Sequence, residues 1–178
     1  MGLEGKRDAI LVEDEYQVHE FWYPFYRFQE AGAEVRVVGS GRKPKFESHG
    51  YAVTPDLDAK DARVEDFDAV VIPGGQAPDN MRRSADMVAF VRDMNGAGKP
   101  VAAICHAGSM LVSAKAVNGR RATSFYSIRD DLEAAGAQWS DEPVVVDGNL
   151  ITSRVPGDLP AFCRAVLRAL APQPAGVA

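Results

Sequence analysis

Short apolar runs alternate along this chain with segments whose apolar positions recur every three or four residues. Runs of the first kind read as buried strands, and segments of the second kind as amphipathic helices packed against them. In alternation they predict a parallel sheet with crossover helices. Asp8 to Val12 opens as a strand. A helix over Glu20 to Ala31 follows, ended by Gly32, with Pro24 placed in its first turn. Glu34 to Val38 is the second strand, closed by Gly39-Ser40-Gly41. Residues 42 to 62 read as irregular, with an extended piece over Tyr51 to Thr54. Asp68 to Ile72 is the third strand, broken abruptly by Pro73-Gly74-Gly75.

The second half continues the alternation. Met87, Phe90, Val91 and Met94 share one face of a helix over Ser84 to Asn95, and the methionines read as core filler. Val101 to Ile104 forms a strand that runs into Cys105 and a helix to Ala116. A strand over Arg121 to Ser124 and a helix over Ser127 to Ala135 follow, the helix stopped by Gly136. Val144 to Val146 and Leu150 to Thr152 flank the turn Asp147-Gly148-Asn149, a hairpin signal. Leu159, Phe162, Cys163, Val166 and Leu170 lie on one stripe of a last helix over Leu159 to Leu170, which makes Cys163 structural. The tail from Pro172 to Ala178 has nothing to bury and is expected to fray. With no linker or repeat in view, residues 1–178 read as one domain whose ordered core spans about residues 8–170.

The 178 residues and 46% hydrophobic content suffice for one sizeable core. A net charge of −5 and a pI near 5.2 argue against a nucleic-acid surface. No apolar run is long enough to span a membrane, and the N-terminus lacks an apolar signal region. Two cysteines, far apart, form neither a CxxC motif nor a disulfide framework, and the three histidines show no metal-ligand spacing. The expectation is a reduced, cytoplasmic protein without metal or other cofactor.

The stretch PVAAICHAGSML, Pro100 to Leu111, carries the chemistry. It delivers Cys105 from a strand directly into a helix start, and Ala103, Ala107 and Gly108 are small enough for a sharp turn there. A free cysteine commonly packs as a small hydrophobe. The small flanks and the adjacent His106 favour a nucleophile, with the helix dipole expected to stabilise the thiolate. If the strands ending at Gly74-Gly75 and at Cys105 are neighbours, the amides of Gly75 and His106 form an oxyanion hole. His106 is the candidate acid or base, and Asp79, in the loop after the third strand, could orient a histidine.

Four segments together resemble the ThiJ/PfpI superfamily, and within it the PfpI-type intracellular protease branch. They are EFWYPFYRFQEAG (Glu20 to Gly32), PGGQAPDNMR (Pro73 to Arg82), GKPVAAICHAGSMLVSA (Gly98 to Ala114) and VVVDGNLITSRVPGDLPAF (Val144 to Phe162). The resemblance implies a flavodoxin-like three-layer α/β sandwich with a mainly parallel sheet, helices on both faces and a nucleophile elbow. It implies a homodimer or larger homo-oligomer and a reactive cysteine, Cys105, with His106 beside it. It places Asp79 where the branch has a glutamate that completes a triad from a neighbouring subunit. It also implies a glutamate near the sulfur, and an ungapped match through Tyr23-Pro24 puts Gln17 there. Gln17 can donate a hydrogen bond but cannot shuttle a proton, whereas a slipped match brings Glu15 or Glu20.

The function expected is a cysteine-nucleophile hydrolase acting on peptide, amide or glycation-adduct carbonyls, with deglycase or glyoxalase activity. Glyoxalase work needs a proton moved between adjacent carbons, which Gln17 does not support. The alternative is a stress-response or redox-sensing protein in which Cys105 is oxidised rather than turned over. An amidotransferase of related fold would need a downstream histidine, and none follows His106.

Overall fold

The computed structural model describes residues 2–171. In chain order the elements are β1 (Arg7–Val12), α1 (Val18–Glu30), β2 (Glu34–Gly39), β3 (Phe46–Ser48), β4 (Tyr51–Val53), β5 (Leu57–Asp58) and β6 (Ala69–Ile72). There follow α2 (Ala77–Met81), α3 (Ala85–Gly96), β7 (Val101–Ile104), α4 (Gly108–Ser113), β8 (Arg121–Ala122), α5 (Arg129–Ala134), β9 (Gln138–Trp139), β10 (Val144–Asp147), β11 (Leu150–Ser153) and α6 (Leu159–Leu170). The expected fraying of residues 172–178 lies outside the described residues.

The main sheet has seven strands in the order β10-β11-β7-β6-β1-β2-β5, parallel except for the β10–β11 hairpin. Every residue of β6, β7 and β11 is buried, which is why β6 and β7 read as continuous apolar runs. α1 and α6 pack together on one face, and α2 to α5 on the other. The apolar stripes read for α3 and α6 are the buried ones, Cys163 among them. This is the flavodoxin-like sandwich expected.

The differences lie in short elements. Within residues 42 to 62 the extended piece read over Tyr51 to Thr54 is β4, but it pairs with β3 in a hairpin turned at His49-Gly50, where both residues have positive φ (49° and 82°). The short helix α2 lies inside the loop that follows β6. The strand read over Arg121 to Ser124 ends at Ala122 and pairs with β9 outside the main sheet, while Thr123 donates its N–H to Thr152 Oγ1 at 2.9 Å. α1 begins at Val18, so Pro24 sits inside the helix rather than in its first turn. It supplies no N–H for the carbonyl of Glu20, four residues earlier.

Candidate active site

β6 and β7 are neighbours, with Ile72 opposite Ala103. Their carboxyl ends therefore emerge side by side, the position where sites assemble in open α/β sheets. β7 ends in the 3₁₀ turn Cys105–Ala107, and Cys105 adopts φ 61°. A side chain in that left-handed conformation costs roughly 1–2 kcal/mol, strain of the kind stored at functional turns. Opposite it, a Cβ added to Gly74 would lie 2.7 Å from Cys105 Cβ, so only glycine lets the two strand ends close. Gly75 has φ 80° and bridges Tyr16 from the loop after β1.

Polar groups converge on the sulfur. The backbone N–H groups of Gly75 and His106 lie near Cys105 Sγ and favour its ionised form. Glu20, fully buried on α1, accepts from the Gly74 N–H at 2.8 Å through Oε2, while its Oε1 has no hydrogen-bond partner among the described residues. His106 Nδ1 lies 3.3 Å from Sγ. The other ring nitrogen, Nε2, lies 3.2 Å from Ser127 Oγ, and the imidazole stacks on Phe125 with centroids 4.8 Å apart. Phe125 N–H in turn donates to the Cys105 carbonyl at 3.2 Å.

The electrostatics correct one expectation. Burial, then the nearby Glu20 carboxylate, pushes the Cys105 thiol up to about 12, and the two amides offset this only in part. The sulfur therefore rests as a thiol, not as the thiolate the helix dipole was expected to favour. α4 has only six residues and starts after the 3₁₀ turn. Burial pushes Glu20 up to about 7 and lowers His106. The site thus holds a thiol, a carboxyl that exchanges its proton near neutrality, and a neutral imidazole.

Gln17 does not face the sulfur. It caps α1, its Oε1 accepting from the Glu20 N–H at 2.9 Å, and its amide nitrogen lies 3.4 Å from His19 Nδ1. The carboxylate at the sulfur is Glu20, three residues along the same helix. Asp79 is exposed on α2. It lines a cavity of about 180 Å³ with Gly75, Arg82, His106 and Asp131, but no hydrogen bond joins it to His106 among the described residues. A larger hollow of about 510 Å³ follows the outer face of α1 past Trp22, Tyr23 and Tyr26, and none of the groups around the sulfur lines it. Ser127 was missed because nothing in sequence links it to a histidine 21 positions earlier. Among the described residues no cluster of three or more His, Cys, Asp or Glu side chains is placed to hold a metal ion. No helix there is long and apolar enough to cross a membrane.

Comparison with known proteins adds independent findings. Residues 6–169 match the model of the DJ-1/PfpI family. The chain is 42% identical to the protein named deglycase PfpI of Pyrococcus furiosus, covering 90% of this chain and 97% of that one. It is 41% identical to protein/nucleic acid deglycase 2 of Escherichia coli, covering 93% and 98%. Among solved structures, a two-domain protein of Anabaena variabilis with DJ-1/ThiJ/PfpI-like and ferritin-like domains superposes with a TM-score of 0.89 at 44% identity. That match covers 93% of this chain and 48% of the other, so this chain spans about half of its length. Drosophila melanogaster DJ-1beta superposes with a TM-score of 0.84 at 29% identity, covering 97% and 92%.

Proposed function

Because the chain belongs to the DJ-1/PfpI family, we propose that it is a cysteine-dependent hydrolase of deglycase type, acting on a carbonyl carbon bonded to an amine nitrogen. The observation that carries this reading is the polar nest around Cys105: two main-chain donors, a buried carboxyl and an imidazole, all aimed at one sulfur. Relatives named deglycases support the reaction class.

In the proposed cycle the Sγ–H bond breaks and the proton passes to His106 Nδ1. The sulfur electron pair forms a C–S bond to the substrate carbonyl carbon. The carbonyl π pair moves onto oxygen, where the N–H groups of Gly75 and His106 receive it. The oxyanion then re-forms the C=O bond, the C–N bond breaks, and the departing nitrogen takes the proton held by His106. Water attacks the resulting thioester and the thiol leaves with its proton restored. The products are the free amine and a carboxylic acid, which is lactate for a three-carbon hydroxyacyl adduct.

Glu20 favours a second reading, glyoxalase activity on a free α-oxoaldehyde. Its carboxyl, nearly half ionised at neutrality, restores the proton carrier that Gln17 could not supply. By the same family reading the protein is a homo-oligomer.

The test is release of free amine and of lactate from lysine carrying a lactoyl group on its side-chain nitrogen. Cys105→Ser is expected to lower both at least about a hundredfold. A wild-type protein that releases neither, while Cys105 is readily oxidised by peroxide, would overturn the hydrolase in favour of a redox sensor.

A further inference from the structure

We propose that Ser127 is a positioning residue of the site: its hydroxyl oxygen accepts the Nε2–H of His106 and so presents the bare Nδ1 to Cys105 within a single chain. The kinetic arm of this proposal rests on the hydrolase reading, whereas its spectroscopic arm does not.

A thiol that keeps its proton can donate it to the ring only if Nδ1 carries a lone pair, and Nδ1 is 3.3 Å away. A neutral imidazole with a bare Nδ1 carries its hydrogen on Nε2. That hydrogen meets Ser127 Oγ at 3.2 Å. When the thiol proton moves to Nδ1, the S–H bond is replaced by an N–H bond and the ring becomes a cation with two donors. Ser127 Oγ already accepts one of them.

The segment holding Ser127 is built to keep this geometry. Ser127 lies in the 3₁₀ turn Tyr126–Ile128, one residue after Phe125 and Tyr126 bring the chain across the elbow. Phe125 lies flat against the imidazole at an interplanar angle of 26°, and its N–H is tied to the Cys105 carbonyl. Ser124, buried just before it, accepts from Trp139 Nε1 at 3.1 Å and donates to the Phe125 carbonyl at 3.0 Å. One stretch thus clamps the ring by its face and by its far nitrogen.

A hydroxyl here differs from a carboxylate. It accepts the Nε2–H without supplying a full negative charge, so it orients the ring without raising its basicity. Burial lowers the His106 pKa, and no carboxylate hydrogen-bonds the ring among the described residues. The charged groups that face the ring across its cavity are Asp79, Arg82 and Asp131, with Glu20 near the sulfur.

The test is nitrogen-15 NMR of labelled histidine at pH 7.5, read alongside turnover, in wild type and in Ser127→Ala, Ser127→Thr and Asp79→Asn. Wild type is expected to hold His106 mainly as the Nε2–H tautomer. Ser127→Ala should lose that bias and lower kcat roughly tenfold with little change in KM, because a ring free to turn spends less time aligned. Ser127→Thr, which keeps the hydroxyl, should restore both. Two results would overturn the proposal: an unchanged tautomer population in Ser127→Ala, or a population that follows Asp79→Asn instead, as a carboxylate reaching across from a second copy would require. If the tautomer responds to Ser127 while no variant and no wild type turns over the adduct, the positioning role stands and the hydrolase reading falls.

Discussion

Glu20 shows how little separates a side chain beside the reactive sulfur's turn from one that only caps a helix. Gln17 and Glu20 are three residues apart on the first turn of α1, yet one caps the helix and the other reaches the sulfur. The resemblance implied a glutamate near Cys105, and the ungapped match through Tyr23-Pro24 fell one turn short of it. Cys105 and His106 were legible because strand-to-helix turns demand small flanking residues, a local rule. Glu20 was legible only as one of two slipped alternatives to Gln17, and Ser127 not at all, because their roles depend on contacts 85 and 21 positions away in the chain. Glu20→Gln separates the two functions of that carboxyl. It removes the negative charge that opposes thiolate and offers an amide N–H in its place, so the Cys105 alkylation midpoint should fall below about 12. Glyoxalase turnover of a free α-oxoaldehyde should drop at least about tenfold, because an amide cannot carry the proton between its carbons. Alkylation followed by mass spectrometry across pH reads the first effect. A midpoint that does not move would mean that Glu20 exerts no field on the sulfur.

At the scale of elements, the long apolar strands and the striped helices α3 and α6 were plain from periodicity, since burial on both sides of a sheet leaves no other pattern. The short pieces escaped. Of the β3–β4 hairpin only the extended piece at β4 was read: with Phe46-Glu47-Ser48 and Tyr51-Ala52-Val53 each strand is too short to show a period of two, and the turn is His49-Gly50 rather than Asn-Gly or Asp-Gly. α2, five residues long, begins Ala-Pro directly after a glycine turn and reads as loop. The elbow depends on a different property, the closeness of two strand ends. A methyl at Gly74 would sit 2.6 Å from Glu20 Oε2, 2.7 Å from Cys105 Cβ and 3.0 Å from the Ile104 carbonyl, so β6 and β7 must part to admit it. Gly74→Ala is therefore expected to cost about 1–3 kcal/mol, as overpacking does, and to slow Cys105 alkylation as the N–H of Gly75 shifts. Gly157→Ala is the control, since nothing lies within 4 Å of its added Cβ; its effect should stay within about 0.5 kcal/mol. Thermal unfolding of the pair reads the difference, and equal losses would refute the steric account.

Across the whole molecule, three acidic side chains are fully buried among the described residues: Glu20 at the site, Glu13 paired with Arg42, and Asp8. Asp8 on β1 is fully buried, and neither side-chain oxygen has a hydrogen-bond partner. Burial, reinforced by the Asp68 carboxylate and partly offset by Lys6, raises its pKa from 3.8 to about 7. Lys6 itself pairs with Asp68 at 3.0 Å, so its charge is largely spent there. Asp8 opposes Ala69 of β6 and Val35 of β2, which bring it no donor. The consequence is a pH dependence of folding with a definite sign. The folded chain holds the Asp8 proton up to about pH 7, whereas the unfolded chain releases it near pH 4. Between those values the native state binds more protons, so stability falls as pH rises, is unaffected by this group below about 4, and levels off above about 7. Asp8→Asn keeps the shape and removes the charge, so it should flatten that slope. At pH 8 it should gain stability of up to about 4 kcal/mol, less whatever its own unpartnered amide costs. Urea unfolding at pH 4.5, 6 and 8 measures this directly. The two proteins should converge at pH 4.5 and diverge at pH 8; a constant offset across all three would mean that Asp8 is ionised throughout or finds a partner. Glu20 contributes a slope of the same sign, so Asp8→Asn should leave a residual fall with pH that Glu20→Gln removes.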